Sequence, residues 1–242
     1  MPVRRPAAVA AITAACLLAG TILTLGWLGR GTAADIAEHH ARVARAAQAH
    51  PPRVSTPQAM AALPEPVRRY FAFVFPDGVP AVAQAEIAMQ GQFRRPRSEG
   101  FAPTSARQSV ATATPALMFD ATTPLLGVLW ARAYDAYVDG RMEMKAKLLS
   151  ALTVVDEGSW SSPALDLISL RRWLLEAPTY PVALLPGGAV RWEAVDDRRA
   201  RATATLGALD ASMVATFADD GRLLSMDAEA DGDLDTPFHG SG

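Results

Sequence analysis

The stretch DAYVDGRMEMKAKLL, residues 135–149, decides the fold. Met142, Met144, Ala146 and Leu148 alternate with Glu143, Lys145 and Lys147. Successive side chains of a strand point to opposite faces, so this rhythm predicts a half-buried antiparallel strand with its charged face in solvent. Asp139-Gly140 supplies the tight turn to the strand before it. Outward from here the same period recurs at 82–93, with one imperfection that suggests a bulge, around 109–119 and around 126–138. Downstream it returns at 190–195, 201–206, 209–217 and 223–229, with Asp219-Asp220-Gly221 as a hairpin turn.

One helix interrupts the strands. Ser162-Pro163 opens it, Asp166 suits its positive end, and Pro178 stops it. Leu167, Leu170 and Leu174 make an apolar row that must cover a sheet face or sit inside a curved sheet. A shorter helix follows Leu63-Pro64, with Val67, Tyr70, Phe71 and Val74 at helical spacing and Pro76-Asp77-Gly78 as its closing turn. These elements predict an α+β domain over residues 57–242. Its architecture is a curved, mainly antiparallel sheet of about eight strands, half-barrel-like, around the central helix 163–177.

Ahead of this domain, Arg4 and Arg5 precede an uncharged run over residues 6–29. As a helix rising about 1.5 Å per residue it covers a hydrocarbon layer of roughly 30 Å. A cleaved signal peptide has a shorter apolar core, although Thr32-Ala33-Ala34 resembles a cleavage site. A lipoprotein site at Cys16 is disfavoured because residues 17–28 stay apolar. The segment 1–29 therefore reads as a retained transmembrane anchor, with Cys16 as a small apolar side chain. The basic tail favours a single-pass cell-membrane protein with its carboxyl-terminal domain outside, although Arg30, Arg42 and Arg45 pull the other way.

Residues 30–56 read as a helical stalk and linker ended by Pro51-Pro52. Ile36, His40, Val43 and Ala47 share one face of it, and His39, His40 and His50 are expected to be solvated. The net charge is −2, from 23 basic and 25 acidic residues. The acids concentrate late: Asp210, Asp219, Asp220 and the run 227–235 face only Arg222. Such a surface excludes nucleic acid, whose binding requires clustered positive charge. With Cys16 as the sole cysteine, the domain has no internal disulfide.

Five segments carry a resemblance: LPEPVRRY (63–70), GQFR (91–94), DAYVDGRMEMKAKLL (135–149), LRRWLLEAPTYPVALLP (170–186) and VRWEAVDDRRARATAT (190–205). Together they resemble an uncharacterised family of bacterial membrane-anchored proteins, a domain of unknown function. The resemblance implies a class and no activity. It also implies that strands usually found after Thr236-Pro237-Phe238 are lacking here, which would leave the edge of the strand near 223–229 uncovered.

The chemical inventory is thin. Nucleophilic hydrolysis lacks a Gly-x-Ser-x-Gly elbow and any histidine between Pro51 and Phe238 to act as base. The run DAEADGDLD (227–235) matches calcium-loop positions but puts Phe238 where a bidentate Glu is required, so no metal is expected. No cofactor is expected either. Asp135 and Asp139 could serve a carboxylate-dependent enzyme, but a solvated face explains them equally. Tyr137, Arg171, Trp173, Tyr180, Trp192 and Glu193 are the candidate ligand-binding residues, with Arg171 either anchoring a headgroup or pairing with Glu193. The expected function is capture of a lipid or other apolar molecule in the concave sheet. The alternatives are a protein-interaction scaffold of an envelope complex, using sheet edges and the Arg68-Arg69 surface but naming no particular partner, and the carboxylate enzyme.

Overall fold

The computed structural model of the chain describes residues 5–52, 55–94, 100–162, 164–231 and 237–240. It begins with helix α1 (Arg5–Ala49), 45 residues without a break and therefore about 68 Å long. Anchor and stalk are one rod. Among the described residues α1 is the one helix long and apolar enough to cross a membrane, with a mean hydropathy of 2.2 over its apolar window. Helix α2 (Pro57–Ala61) follows, capped by the Thr56 hydroxyl, which accepts from the Ala59 amide. Helix α3 (Glu65–Val74) completes the amino-terminal part.

Strands β1 (Gln84–Arg94), β2 (Phe101–Ala111), β3 (Ala116–Pro124), β4 (Trp130–Val138), β5 (Arg141–Leu148) and β6 (Leu152–Gly158) pair in chain order as an antiparallel meander. Helix α4 (Ala164–Glu176) comes next, with two short 3-10 turns, Ala177–Thr179 and Pro181–Leu184. A second antiparallel meander then runs through β7 (Val190–Ala194), β8 (Arg199–Leu206), β9 (Leu209–Phe217), β10 (Leu223–Asp231) and β11 (Pro237–Gly240). The class is α+β and antiparallel, but the expected single half-barrel is two sheets. The strand expected to end in an open edge, β10, is paired by β11.

The apolar row of α4 lies between the sheets. Leu170, Trp173 and Leu174 are buried in a cluster that takes Val110, Leu117 and Tyr137 from the first sheet and Ala202, Met213 and Phe217 from the second. Alanines at 200, 202, 204, 211 and 215 all point inward, and their small side chains let the helix come close to the second sheet. Helix α3 covers part of the same sheet, its Tyr70 ring 5.5 Å from that of Phe217.

This contact depends on Gly221 in the β9–β10 turn. Its φ is +92°, and an added Cβ would lie 2.4 Å from the Arg69 carbonyl oxygen. Gly221→Ala is expected to cost about 2–4 kcal/mol by combining left-handed strain with that clash. Thermal unfolding of the full chain in detergent measures it, and an unchanged midpoint would show that the turn yields freely.

The other face of the first sheet is covered too. The upper half of α1 lies across it, and Ile36, Val43 and Ala47 are buried against Ala111, Met118, Tyr134, Ala136 and Val138. The face carrying Glu143, Lys145 and Lys147, expected in solvent, is therefore the bed of a helix, and the stalk part of α1 is docked on it through Ile36, Val43 and Ala47.

Candidate functional site

The α1 bed has a polar centre. His40 is buried, with Nδ1 2.5 Å from Ser109 Oγ and Nε2 2.9 Å from Asp120 Oδ1. The Ser109 hydroxyl donates to Glu86 Oε1 at 2.6 Å. That uses the only proton of the hydroxyl, so toward His40 it accepts, and both ring nitrogens of His40 are placed to donate. Arg132 donates to the second oxygen of Asp120 at 2.5 Å and to Thr122 Oγ1 at 3.0 Å. Burial pushes the Asp120 carboxyl up, but the His40 hydrogen bond and the charges of Arg132, His40 and Arg107 outweigh it and hold it below the ordinary carboxylate range.

A serine, a histidine and an aspartate in hydrogen-bonded sequence invite comparison with an acyl-transfer triad. The arrangement does not support one. Ser109 is fully buried, its proton is directed to Glu86, and Asp120 is shared with Arg132. The cluster is a latch between helix and sheet. It escaped the sequence reading because His40 looked solvated, although the shared face of Ile36, His40, Val43 and Ala47 was a signal that something covers it.

The other flank of α1 is tied by Arg42 to Glu143 at 2.9 Å and by Lys147 to the Thr32 hydroxyl at 3.0 Å. Burial lowers the His39 pKa despite the nearby Glu143 carboxylate, and burial with the Asp35 charge raises that of Tyr134 to about 12. At the foot of the sheet the Thr32 hydroxyl donates to the Ser150 carbonyl at 2.7 Å. Directly below this point the chain opens an apolar crease of about 530 Å³, lined by Ile22, Leu25, Gly26 and Gly29 of α1 and by Val128, Trp130, Leu149 and Ser150. A Cβ on Gly26 would meet nothing within 4 Å. The β3–β4 loop beside it carries Leu126 and Val128, 80% and 84% exposed. Above the crease a groove is lined by Ala33, Ile36 and Ala37 of α1 and by Arg107, Asp120 and Arg132 among its sheet residues.

The residues singled out from sequence lie elsewhere. Tyr137, Trp173 and Tyr180 join the inter-sheet core, with Trp192 packed against it. Their polar atoms turn to backbone: Trp173 Nε1 donates to the Ala111 carbonyl, Tyr180 OH to that of Trp173, and Trp192 Nε1 to that of Leu184. The buried Tyr137 hydroxyl has no partner among the described residues. Arg171 is 7% exposed and makes no ion pair with Glu193, whose exposed carboxylate instead lies 3.7 Å from Arg191. Asp135 is clamped by Arg172 at 2.6 Å, while Asp139 sits exposed in its turn with φ +57°. Burial raises the Asp135 pKa even so. The acidic run from Asp227 includes residues 232–236 and the expected helix opening includes residue 163, so both the calcium-loop and the cap expectations fall partly outside the described residues.

Two antiparallel sheets enclosing one helix and riding on a long apolar amino-terminal helix define the class: an α+β domain with a candidate membrane span. The chain belongs to a family of unknown function (DUF6920), whose model matches residues 61–242. No curated protein and no solved structure matches it.

Proposed function

We propose that this chain is a membrane-held domain that binds a lipid or other apolar molecule in the crease at the foot of its first sheet. The space between the sheets, where the sequence placed that ligand, is filled by Leu170, Trp173, Leu174, Tyr137 and Phe217. A cavity near Val79, Thr112 and Leu185 holds only about 100 Å³, too little for a lipid chain. The crease lies along α1 residues 22–29, inside the run that would cross the bilayer. That shared depth is the observation carrying the proposal. It brings the exposed Leu126 and Val128 to the level of acyl chains and Trp130 to the interface, where indole rings favour one apolar and one wet end.

Retention of the anchor is supported by the same geometry, since cleavage at 32–34 would cut α1 inside its docked segment. The short basic tail supports an extracytoplasmic position for the domain, against the pull of Arg30, Arg42 and Arg45 on the other flank. The scaffold alternative draws on β6, an edge strand with Leu152 and Val154 exposed. The carboxylate-enzyme alternative has less support, because Asp135 is clamped by Arg172 and Asp139 lies exposed in its turn.

Native mass spectrometry of the full chain released from mild detergent tests the crease. The wild type is expected to retain phospholipid. Gly26→Phe, whose Cβ would have open space and whose ring would occupy part of the crease, should lower that retention roughly tenfold, equivalent to two buried methylenes. Equal retention by both proteins would remove the crease as the site.

A further inference from the structure

Resting on that reading, we propose that the molecule taken is an anionic phospholipid, its phosphate held at Arg107 and Arg132 in the groove above the crease. The two concavities share one side of α1: residues 22, 26 and 29 line the lower one and residues 33, 36 and 37 the upper. Ala33 to Ala37 lie about 6–12 Å beyond Gly29 along the helix. On the sheet, Arg132 is two residues above Trp130 on the same face, about 7 Å farther from the loop tips. A lipid standing in the crease beside the last turns of the apolar run would thus carry its phosphate to the level of these guanidinium groups.

The charge arrangement fits. The groove lining holds two guanidinium groups against one carboxylate. Asp120 is already engaged by His40 and Arg132. Arg107 touches it only at 3.8 Å and is 54% exposed, so its guanidinium is open to a further anion. Among the described residues the buried Arg132 Nε has no acceptor. Ala33 and Ala37 keep the helix side of the groove shallow, and helical spacing sets the exposed Arg30 one turn below them on the same flank. Glu86, the other carboxylate near the latch, is occupied by Ser109. Guanidinium groups bind phosphate through paired, charge-assisted hydrogen bonds, a geometry a zwitterionic headgroup answers less well because its own cation competes.

The test offers the full-length chain in mild detergent equal amounts of phosphatidylglycerol and phosphatidylcholine with identical acyl chains and reads retained lipid by native mass spectrometry. Wild type is expected to favour phosphatidylglycerol about fivefold, the effect of one basic side chain at an anionic surface. Arg107→Gln should bring the ratio near one through loss of retained phosphatidylglycerol, and Arg107→Lys, which keeps the charge without the paired hydrogen bonds, should restore only part of the preference. Equal retention of the two lipids by wild type overturns the headgroup assignment and leaves the crease standing. Absence of any retained lipid overturns the crease and the assignment with it. Saturable binding of inorganic phosphate to lipid-free wild type, lost in Arg107→Gln, identifies free phosphate as the ligand and also overturns the assignment.

Discussion

Asp120→Ala is expected to lower stability by about 3–5 kcal/mol, the cost of removing one partner from a buried charged cluster. The carboxylate accepts from His40 Nε2 on one oxygen and from Arg132 on the other, and its side chain is 8% exposed. Its loss leaves two donors without an acceptor under α1. Amide hydrogen exchange should therefore rise first in α1 residues 32–47 and in β3, before the α4 core loosens. The pH dependence follows from the direction of the Asp120 shift. Its folded-state pKa lies below the unfolded value, so its contribution is complete above about pH 4 and disappears as the pH falls through that lowered value. The stability gap between wild type and variant should accordingly narrow in acid. A gap that stays constant from neutral to strongly acidic pH would show that Asp120 is not an ionised partner of the latch.

Trp173→Ala should be comparably damaging, at about 3–5 kcal/mol for a fully buried large aromatic side chain. Trp173 is 0% exposed at the point where α4 meets both sheets. Its indole also donates to the Ala111 carbonyl at 3.2 Å, a link from the core to the end of β2. Truncation opens a cavity and removes that donor together. Trp173→Phe restores most of the volume and should recover more than half of the loss. Thermal and denaturant unfolding of the full chain measure both variants, and a loss below about 1 kcal/mol for the alanine variant would mean that the sheets close over the gap.

The parts of the fold that were legible in sequence are those with one covered and one wet face. β9 was read to the residue, because Ala211, Met213, Ala215 and Phe217 are buried between outward positions. β5 and α4 were read within about a residue for the same reason. β2 was mostly missed: Phe101–Ala111 has no apolar alternation, since Ser105 and Arg107 line an open polar groove and Ser109 joins the latch. β6 was missed because Leu152 and Val154 are exposed on an edge. The six candidate binding residues were recognised by their aromatic and charged character, which in Trp173, Tyr180 and Trp192 serves packing and backbone hydrogen bonds. The crease was not legible. It joins loops near 128 and 149 to a helix more than a hundred residues earlier, and no local period records that meeting.

The unbroken run of α1 through Arg30 has a mechanical meaning. On the proposed reading of α1 as a membrane span, a rod with no joint, gripped along its upper half by Thr32, His40 and Arg42, would behave as a lever whose fulcrum is the membrane surface. Bilayers of different thickness set spanning helices at different tilts. On that reading each degree of lean imposed on the lower half would swing the docked sheet through the same angle, and the hydrocarbon thickness would set the pose of the domain.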